Sequence, residues 1–151
     1  MSILTSKFDI LRGYPNGSAL TWPFIIKKVG SPLAPAAIPA GSLVTQELQN
    51  GQTVVNLATT PNLSVADPID VWLVVEGNDD YSGQYVEKVA AAKPGTGVIW
   101  ETDQFAAGSY TPGTPVSFSS GVLKVKGANE QIIGHVLEDN SATTGVVRIS
   151  S

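Results

Sequence analysis

The stretch Pro112-Gly-Thr-Pro-Val-Ser-Phe-Ser-Ser-Gly-Val-Leu-Lys-Val-Lys126 decides the fold class of this chain. It contains a Pro-Gly turn, a short apolar run, and a second run in which Leu123 and Val125 alternate with lysine. Short runs rich in Val and Ile, separated by Gly, Pro, Asn or Ser, are typical of compact antiparallel strands. Two further runs of this kind follow, Gln131-Ile-Ile-Gly-His-Val-Leu-Glu138 and Gly145-Val-Val-Arg-Ile149.

Glycine and proline recur along the whole chain, with 15 glycines and 10 prolines among 151 residues. They leave little room for helices of ordinary length. We therefore expect a mostly β fold, either a small antiparallel β-barrel or a β-sandwich. The candidate strands are residues 22–29, 42–48, 53–58, 69–76, 84–91, 98–102, 116–118, 122–126, 132–138 and 146–150.

Residues 1–20 differ in kind from the rest, because Phe8, Ile10, Leu11 and Tyr14 are apolar and are followed at once by turn-forming residues. We interpret this segment as an extended N-terminal arm that awaits a partner. The alternative is an ordinary edge strand packed on its own domain.

Residues 21–151 are expected to form a single β domain. Its Pro-rich segment 30–41 is predicted to be an extended connector, since three prolines fix φ and remove backbone donors. The sequence Gln49-Asn-Gly51 predicts a type I′ hairpin turn. No internal repeat of fixed period is evident, although Ala40-Gly-Ser-Leu-Val44 and Pro112-Gly-Thr-Pro-Val116 both resemble a turn that leads into a strand.

The charge balance argues against a nucleic-acid partner. Nine Lys and Arg residues oppose 13 Asp and Glu residues, for a net charge of −4, and the basic residues are scattered, whereas phosphate binding relies on clusters. The pairs Lys27-Lys28 and Lys124/Lys126 are interpreted as solvated outward positions on strands. The sequence has no cysteine, so disulfides and thiolate metal sites are excluded.

The N-terminal sequence Met1-Ser-Ile-Leu-Thr-Ser-Lys-Phe-Asp9 has neither the basic start nor the uninterrupted apolar core of a signal peptide. No apolar stretch approaches the roughly 18 residues of a transmembrane helix. We therefore expect a soluble chain, made in the cytoplasm, with no membrane partner.

The single histidine, His135, alternates with Ile133 and Leu137, a setting typical of a packed or hydrogen-bonded side chain rather than of a catalytic base. A Ser141-His135-Asp139 arrangement has no spacing that resembles a nucleophile elbow or a protease signature. We predict no catalytic residue from this region.

Acidic residues offer two further constellations. Asp67, Asp70 and the run Asn78-Asp-Asp80 carry oxygen ligands that suit Ca²⁺, but their spacing matches no known calcium loop and turn formation explains them. A carboxylate pair of a glycosidase, Glu76 with Glu87 or Glu101, has no support beyond positions at strand ends. We predict no metal site, no cofactor and no enzymatic activity.

Aromatic side chains suggest a sugar-stacking platform as an alternative function. Trp72 is interpreted as core, whereas Trp100 and Tyr110 lie near turns and are the better surface candidates. The full set of aromatic candidates is Trp22, Trp72, Trp100, Tyr81, Tyr85 and Tyr110.

With these residues in view, the chain resembles the head decoration (cement) proteins of tailed bacteriophages. The resemblance rests on the Gly/Pro turn and strand at 112–118, which lead through Gly121–Lys126 and Ile132-Ile-Gly-His-Val-Leu-Glu138 to Gly145-Val-Val-Arg-Ile149. It implies a β-tulip-like fold and a non-enzymatic virion structural protein that binds the outer surface of the capsid and stabilises contacts between capsid subunits. The implied partners are the major capsid protein and further copies of the chain, with a trimer favoured.

The same resemblance implies capsid or intersubunit contacts through the arm and the connector. The alternative function is a carbohydrate- or receptor-binding β module of a phage tail or baseplate, which requires exposed Trp100 and Tyr110. The contact residues expected under the first interpretation are Phe8, Ile10, Leu11, Arg12, Tyr14, Leu33 and Ile38, with Lys7 as a polar neighbour.

Overall fold

The computed structural model describes residues 7–12, 21–78, 87–95 and 97–151. In this part of the chain thirteen strands form, and no helix has the length and hydrophobicity needed to cross a bilayer. The strands are β1 (Phe8–Arg12), β2 (Trp22–Ile25), β3 (Lys28–Val29), β4 (Ala34–Pro35), β5 (Leu43–Gln49), β6 (Gln52–Leu57), β7 (Trp72–Glu76), β8 (Lys88–Ala92), β9 (Ile99–Thr102), β10 (Pro115–Ser119), β11 (Val122–Val125), β12 (Gly134–Asn140) and β13 (Val146–Ser150).

The predicted mostly β fold with antiparallel sheets is confirmed. Two details differ from the sequence-based expectation. The predicted strand 22–29 is divided into β2 and β3, because the chain leaves the sheet between them. The connector 30–41 also contains β4, which pairs with β3 in a small two-stranded ladder.

The first five-stranded sheet closes on itself. Its order is β2-β8-β7-β5-β6, with antiparallel neighbours. Just beyond β2, Ile26 forms a parallel bridge with Val55 of β6, and the amide of Lys27 donates to the carbonyl of Val55 at 2.9 Å. We call the unit of β2 and β5–β8, residues 22–92, the N-module.

Strands β9–β13, residues 99–150, form a second unit of the same topology, which we call the C-module. Its strand order is β9-β13-β12-β10-β11, and β1 is added outside β9. Just beyond β9, Phe105 forms a parallel bridge with Leu123 of β11, and the amide of Ala106 donates to the carbonyl of Leu123 at 2.7 Å. When the five strands of each module are counted along the chain, both sheets have the order one-five-four-two-three.

The two modules also share individual hydrogen bonds. In the N-module the amide of Gly41 donates to the carbonyl of Val74 at 2.8 Å, and in the C-module the amide of Gly113 donates to the carbonyl of Val136 at 2.8 Å. Both glycines have positive φ, +88° in each case, which a residue with a Cβ rarely adopts. Each module also shifts register once between its fourth and fifth strands, just after Val74 and just after Val136.

The hairpin between the second and third strands is the same in both modules. Asn50 and Gly51 have φ values of 52° and 79°, and Ser120 and Gly121 have 49° and 81°. Positive φ at both central residues defines the type I′ turn. The predicted turn at Gln49-Asn-Gly51 is therefore confirmed, and its counterpart at Ser119–Val122 repeats it.

The interiors of the modules correspond position by position. Alternate residues of each strand point inward and bury apolar surface, at about 1.5–3 kcal/mol for each fully buried large side chain. The N-module interior contains Ile26, Ile38, Val44, Val55, Val74, Val89 and Ala91, and the equivalent residues of the C-module are Phe105, Tyr110, Val116, Leu123, Val136, Val147 and Ile149.

The modules pack through different surfaces. The turn of the C-module inserts into the N-module: the amide of Leu43 donates to the carbonyl of Gly121 at 2.8 Å, and the amide of Gly121 donates to the carbonyl of Ala58 at 2.8 Å. We call Leu43, Ala58, Val71 and Leu73 the receiving face of the N-module; all four are buried in one cluster with the C-module core. Because unlike surfaces meet, the contact is heterologous.

Candidate interaction surfaces

The strand β1 is the outermost strand of the larger sheet and pairs antiparallel with β9, with Phe8 opposite Thr102 and Ile10 opposite Trp100. Phe8 and Ile10 are half-buried against the C-module core, and Leu11 is 41% exposed. The edge-strand alternative is therefore the one that applies to residues 8–12.

The remaining arm residues have separate outcomes. Arg12 ends β1, and Tyr14 lies outside the described residues. Lys7 is held in place, because its ammonium donates to the carbonyl of Thr144 at 2.9 Å.

The outer edge of β1 carries backbone groups that no described strand pairs with. The amide of Asp103 donates to the carbonyl of Lys7, just before β1, at 2.9 Å. Lys7 and Asp9 therefore bond inward, and alternation directs the N–H and C=O groups of Phe8 and Ile10 outward. An edge with free donors and acceptors is a template for strand addition.

The two connector residues are placed very differently. Ile38 is fully buried at 0% exposure in the N-module core, so its expected role as a surface contact is wrong. Its amide donates to the side-chain oxygen of Asn78 at 2.7 Å, while the side-chain amide of Asn78 donates to the carbonyl of Ala36 at 2.8 Å. Leu33, by contrast, is 63% exposed.

One end of the N-module exposes Leu48, which was not among the sequence-based candidates, and Trp22, which was a candidate only for the aromatic platform. Leu48 is 74% exposed and Trp22 is 62% exposed. β2 and β6 run parallel, so the start of β2 lies at the same end as the Asn50–Gly51 turn that precedes β6. Leu33 borders a shallow cavity of about 160 Å³ beside this turn. We call Trp22, Leu33, Leu48, Asn50 and Gly51 the N-end surface.

A sequence signal for part of this surface existed. Leu48 immediately precedes an Asn-Gly turn, and the tip of a two-residue hairpin projects from its sheet. A large apolar residue at such a tip has little to pack against within its own module. Trp22 gave no such signal, because its exposure depends on where the strand begins.

The prediction that Trp100 and Tyr110 form an exposed aromatic platform is wrong. Trp100 is 0% exposed and Tyr110 is 2% exposed. The Tyr110 hydroxyl donates to the carbonyl of Ala106 at 2.5 Å, and burial, with a smaller contribution from the charge of Asp139, raises its pKa. Tyr81 and Tyr85 lie outside the described residues.

Trp72 is half-buried rather than fully buried, and packs against two side chains. Its ring meets Phe24 edge to face at a centroid distance of 4.9 Å. The Lys93 ammonium lies 5.1 Å from the Trp72 ring centroid. Both contacts favour a structural role for this residue.

The histidine and its neighbours do not form a catalytic group. His135 is exposed on β12, so of the two expected settings, packed or hydrogen-bonded, the packed one does not apply. Asp139 lies four residues further along the same strand, which corresponds to about 13 Å. It accepts a hydrogen bond from the amide of Ser141 at 2.9 Å, and hydrogen bonds from the side chain and amide of Ser141 lower the pKa of this carboxyl.

Three of the acidic candidates are engaged in ion pairs. Asp70 lies 2.8 Å from Lys93, whose hydrogen bond and charge lower the pKa of the Asp70 carboxyl. Glu101 lies 3.3 Å from Arg148, and Glu87 lies 3.6 Å from Lys28. Within the described ranges no group of three or more His, Cys, Asp or Glu side chains is placed to hold a metal ion.

The lysine pairs also have acidic neighbours. Lys27 lies 2.6 Å from Glu47, and Lys124 lies 2.7 Å from Glu130. Paired lysines contribute less positive potential than isolated ones, which does not favour a phosphate-binding patch.

Comparison with protein-family models, with curated proteins and with solved structures finds no match to this chain.

Proposed function

We propose that the chain is a non-enzymatic virion structural protein of a tailed bacteriophage, which binds the exterior of the capsid and stabilises contacts between capsid subunits. In this role its partners are the major capsid protein and other copies of itself, in a small cyclic oligomer for which a trimer is favoured. Assembly with the capsid follows synthesis in the host cytoplasm.

The observation that supports the proposal is the outer edge of β1. Its outward backbone groups at Phe8 and Ile10, which have no partner among the described residues, suit main-chain hydrogen bonding to an extended segment of a neighbouring subunit. Leu11, at 41% exposure, adds apolar area beside the edge. Several such attachments per oligomer convert weak individual contacts into tight binding, provided that the geometry allows them together.

The test removes a single outward hydrogen-bond donor. Ile10→Pro removes the outward N–H of β1, and Ile10→Ala is the matched control, because it removes a similar amount of core packing but keeps that N–H. We expect wild type and Ile10→Ala to co-sediment with expanded capsid shells of the phage that encodes the chain, and Ile10→Pro to bind at least tenfold more weakly.

Two results would count against the proposal. Wild-type protein that fails to co-sediment with the shells overturns the capsid-binding function. Equal binding by Ile10→Pro and Ile10→Ala overturns the assignment of the β1 edge while leaving capsid binding intact. Deletion of residues 2–14 is a less sharp test, because Phe8 and Ile10 also cover the core.

A further inference from the structure

The internal contact between the two modules shows how a module of this topology binds an apolar sheet face. At the contact, the turn Ser120–Gly121 provides backbone hydrogen bonds to Leu43 and Ala58, and Phe118 and Trp100, each 0% exposed, belong to the same apolar cluster as the receiving face. The amide of Ser120 also donates to the hydroxyl of Thr59 at 2.9 Å. This end of the C-module therefore combines a projecting turn with large apolar side chains.

The N-end surface is the counterpart of that end in the N-module. Trp22 is equivalent to Trp100, since they lie opposite the equivalent residues Ala91 and Ile149. The Asn50–Gly51 turn is equivalent to Ser120–Gly121. The same features are present, but in the N-module they are exposed.

The N-end surface contains several large apolar side chains that are highly exposed. Trp22 at 62%, Leu33 at 63% and Leu48 at 74% are three of the four most exposed large apolar side chains in the described part of the chain. A Cβ added to Gly51 would have no heavy atom within 4 Å, whereas one added to Gly121 would collide with Leu57. The turn of the N-module is thus free where the turn of the C-module is occupied.

We propose that the N-end surface binds an apolar sheet face of a different protein, in the same manner as the C-module turn binds the receiving face of the N-module. The partner surface is expected to offer a backbone N–H and a backbone C=O beside small or branched apolar side chains, as Leu43 and Ala58 do. This inference rests on the proposed function, under which the partner is the major capsid protein.

A second copy of this chain is disfavoured as the partner by the residues at the equivalent face of the C-module. Leu43 corresponds to Pro115, which has no N–H to donate to an incoming turn. Ala58 corresponds to Lys126, because the amide of Ala58 donates to the carbonyl of Leu43 and the amide of Lys126 donates to the carbonyl of the equivalent residue, Pro115. Leu73 corresponds to His135, which is exposed.

Lys126 and His135 make this part of the C-module face polar and Pro115 removes a donor, as in the terminal repeats of repeat proteins, where a polar outer face ends the array. A second copy docked in this way would place the N-end surface against the charged Lys126 and against Pro115, which has no N–H. The receiving face instead offers the apolar Ala58 and the N–H of Leu43. The apolar character of the N-end surface is therefore not matched by this face of the C-module.

The experiment compares Leu48→Ser and Trp22→Ala with Val65→Ser. Val65 is 83% exposed in the loop between β6 and β7 and does not belong to the N-end surface, so it controls for the loss of exposed apolar area. The readouts are co-sedimentation with expanded capsid shells and the mass of the free protein by light scattering. We expect Leu48→Ser and Trp22→Ala each to weaken shell binding about tenfold or more, with Val65→Ser unchanged and all free masses equal to wild type.

If wild type binds the shells and both N-end variants bind equally well, this inference is overturned but the proposed function stands. Wild type that does not bind shells overturns both. A lower free mass for Leu48→Ser or Trp22→Ala than for wild type and Val65→Ser shows a second copy at the surface and overturns the assignment to a different protein. Thermal unfolding of each variant verifies that binding losses do not reflect unfolding.

Discussion

Ile38 and Tyr110 occupy the same position in the two modules. Each lies three residues before the positive-φ glycine, Gly41 or Gly113, that precedes the second strand, and their exposures are 0% and 2%. The smaller residue is held through its backbone by Asn78, whereas the larger one is held through its own hydroxyl by Ala106 and, at 3.3 Å, by Leu123. One interior site is thus filled in two chemically different ways.

Replacing Tyr110 by Phe should lower the free energy of unfolding by about 1 kcal/mol, because it removes one buried hydrogen bond and keeps the ring. Tyr110→Ala should lower it by about 3–5 kcal/mol, since it also leaves a cavity. Urea denaturation measures both values. If Phe and Ala were equally destabilising, the hydroxyl rather than the ring would dominate the site.

The contact between the modules should be sensitive to Gly121 and insensitive to Gly51. Both residues have positive φ in type I′ turns, 81° and 79°, so Ala costs about 1 kcal/mol at either position through backbone strain. Only at Gly121 does the new methyl group collide with Leu57, which adds about 1–3 kcal/mol from overpacking.

Denaturant unfolding of Gly121→Ala and Gly51→Ala measures the difference directly. We expect Gly121→Ala to be the less stable variant by more than about 1 kcal/mol. Equal stabilities would contradict the close approach of the C-module turn to Leu57.

Glu130 should make stability depend on pH in the acidic range. Hydrogen bonds from Lys124, at 2.7 and 2.9 Å, are the main cause that lowers the pKa of its carboxyl, and the amide of Gly127 adds to it. A lowered pKa in the folded state means that the stabilisation is present above the ordinary value of 4.5 and is lost as the pH falls through the folded-state pKa.

Glu130→Gln tests this assignment, because it keeps the shape of the side chain and removes the charge. We expect a loss of about 1–2 kcal/mol at pH 7, and a smaller difference from wild type as the pH falls below 4.5. A difference that stays constant from pH 7 to pH 3 would contradict a role for the ionised carboxylate.

Gln131 should stabilise the packing of the loop before β7 against the loop before β12. Its side chain acts as a strand residue would: the oxygen accepts from the amide of Ile69 and the nitrogen donates to the carbonyl of Ile69, both at 2.8 Å. Gln131→Ala should lower the free energy of unfolding by about 1–3 kcal/mol, because both groups of Ile69 lose their partners.

Gln131→Glu is the informative companion variant. It keeps the acceptor for the Ile69 amide and removes the donor to the Ile69 carbonyl, so at pH 7 its stability should be lower than that of wild type. Hydrogen exchange of the Ile69 amide should be faster in Gln131→Ala than in wild type. In Gln131→Glu it should be slower than in Gln131→Ala, because the acceptor for this amide is kept. Unchanged exchange in the Ala variant would refute the pairing.

The sequence was sufficient to predict most of the strands and the first hairpin, because alternation and the Asn-Gly pair act locally; β1 and β4 were not predicted. The duplication was not predictable from a fixed period. Trp72 corresponds to Gly134 and Ala91 to Ile149, so equivalent positions share backbone geometry but not residue type. Loops of unequal length also change the separation in sequence between equivalent residues.

Burial was the property that sequence reasoning judged least well. Trp100 and Tyr110 lie near turns in sequence, yet closure of the C-module sheet places both inside. Ile38 lies in a Pro-rich connector, yet Asn78 fixes its backbone so that the side chain enters the N-module. In each case a partner distant in the sequence decides which side chain is covered.

Closure of each sheet by a parallel bridge affects how this protein behaves at high concentration. Ile26 meets Val55 and Phe105 meets Leu123, so the two outer strands of each module are joined within the chain at one bridge. Unpaired edges are where β proteins coalesce into aggregates. Among the described strands, β1 is the outermost strand of the larger sheet and its outer edge has no described partner, so this strip of backbone is a place where the chain is open to unwanted pairing.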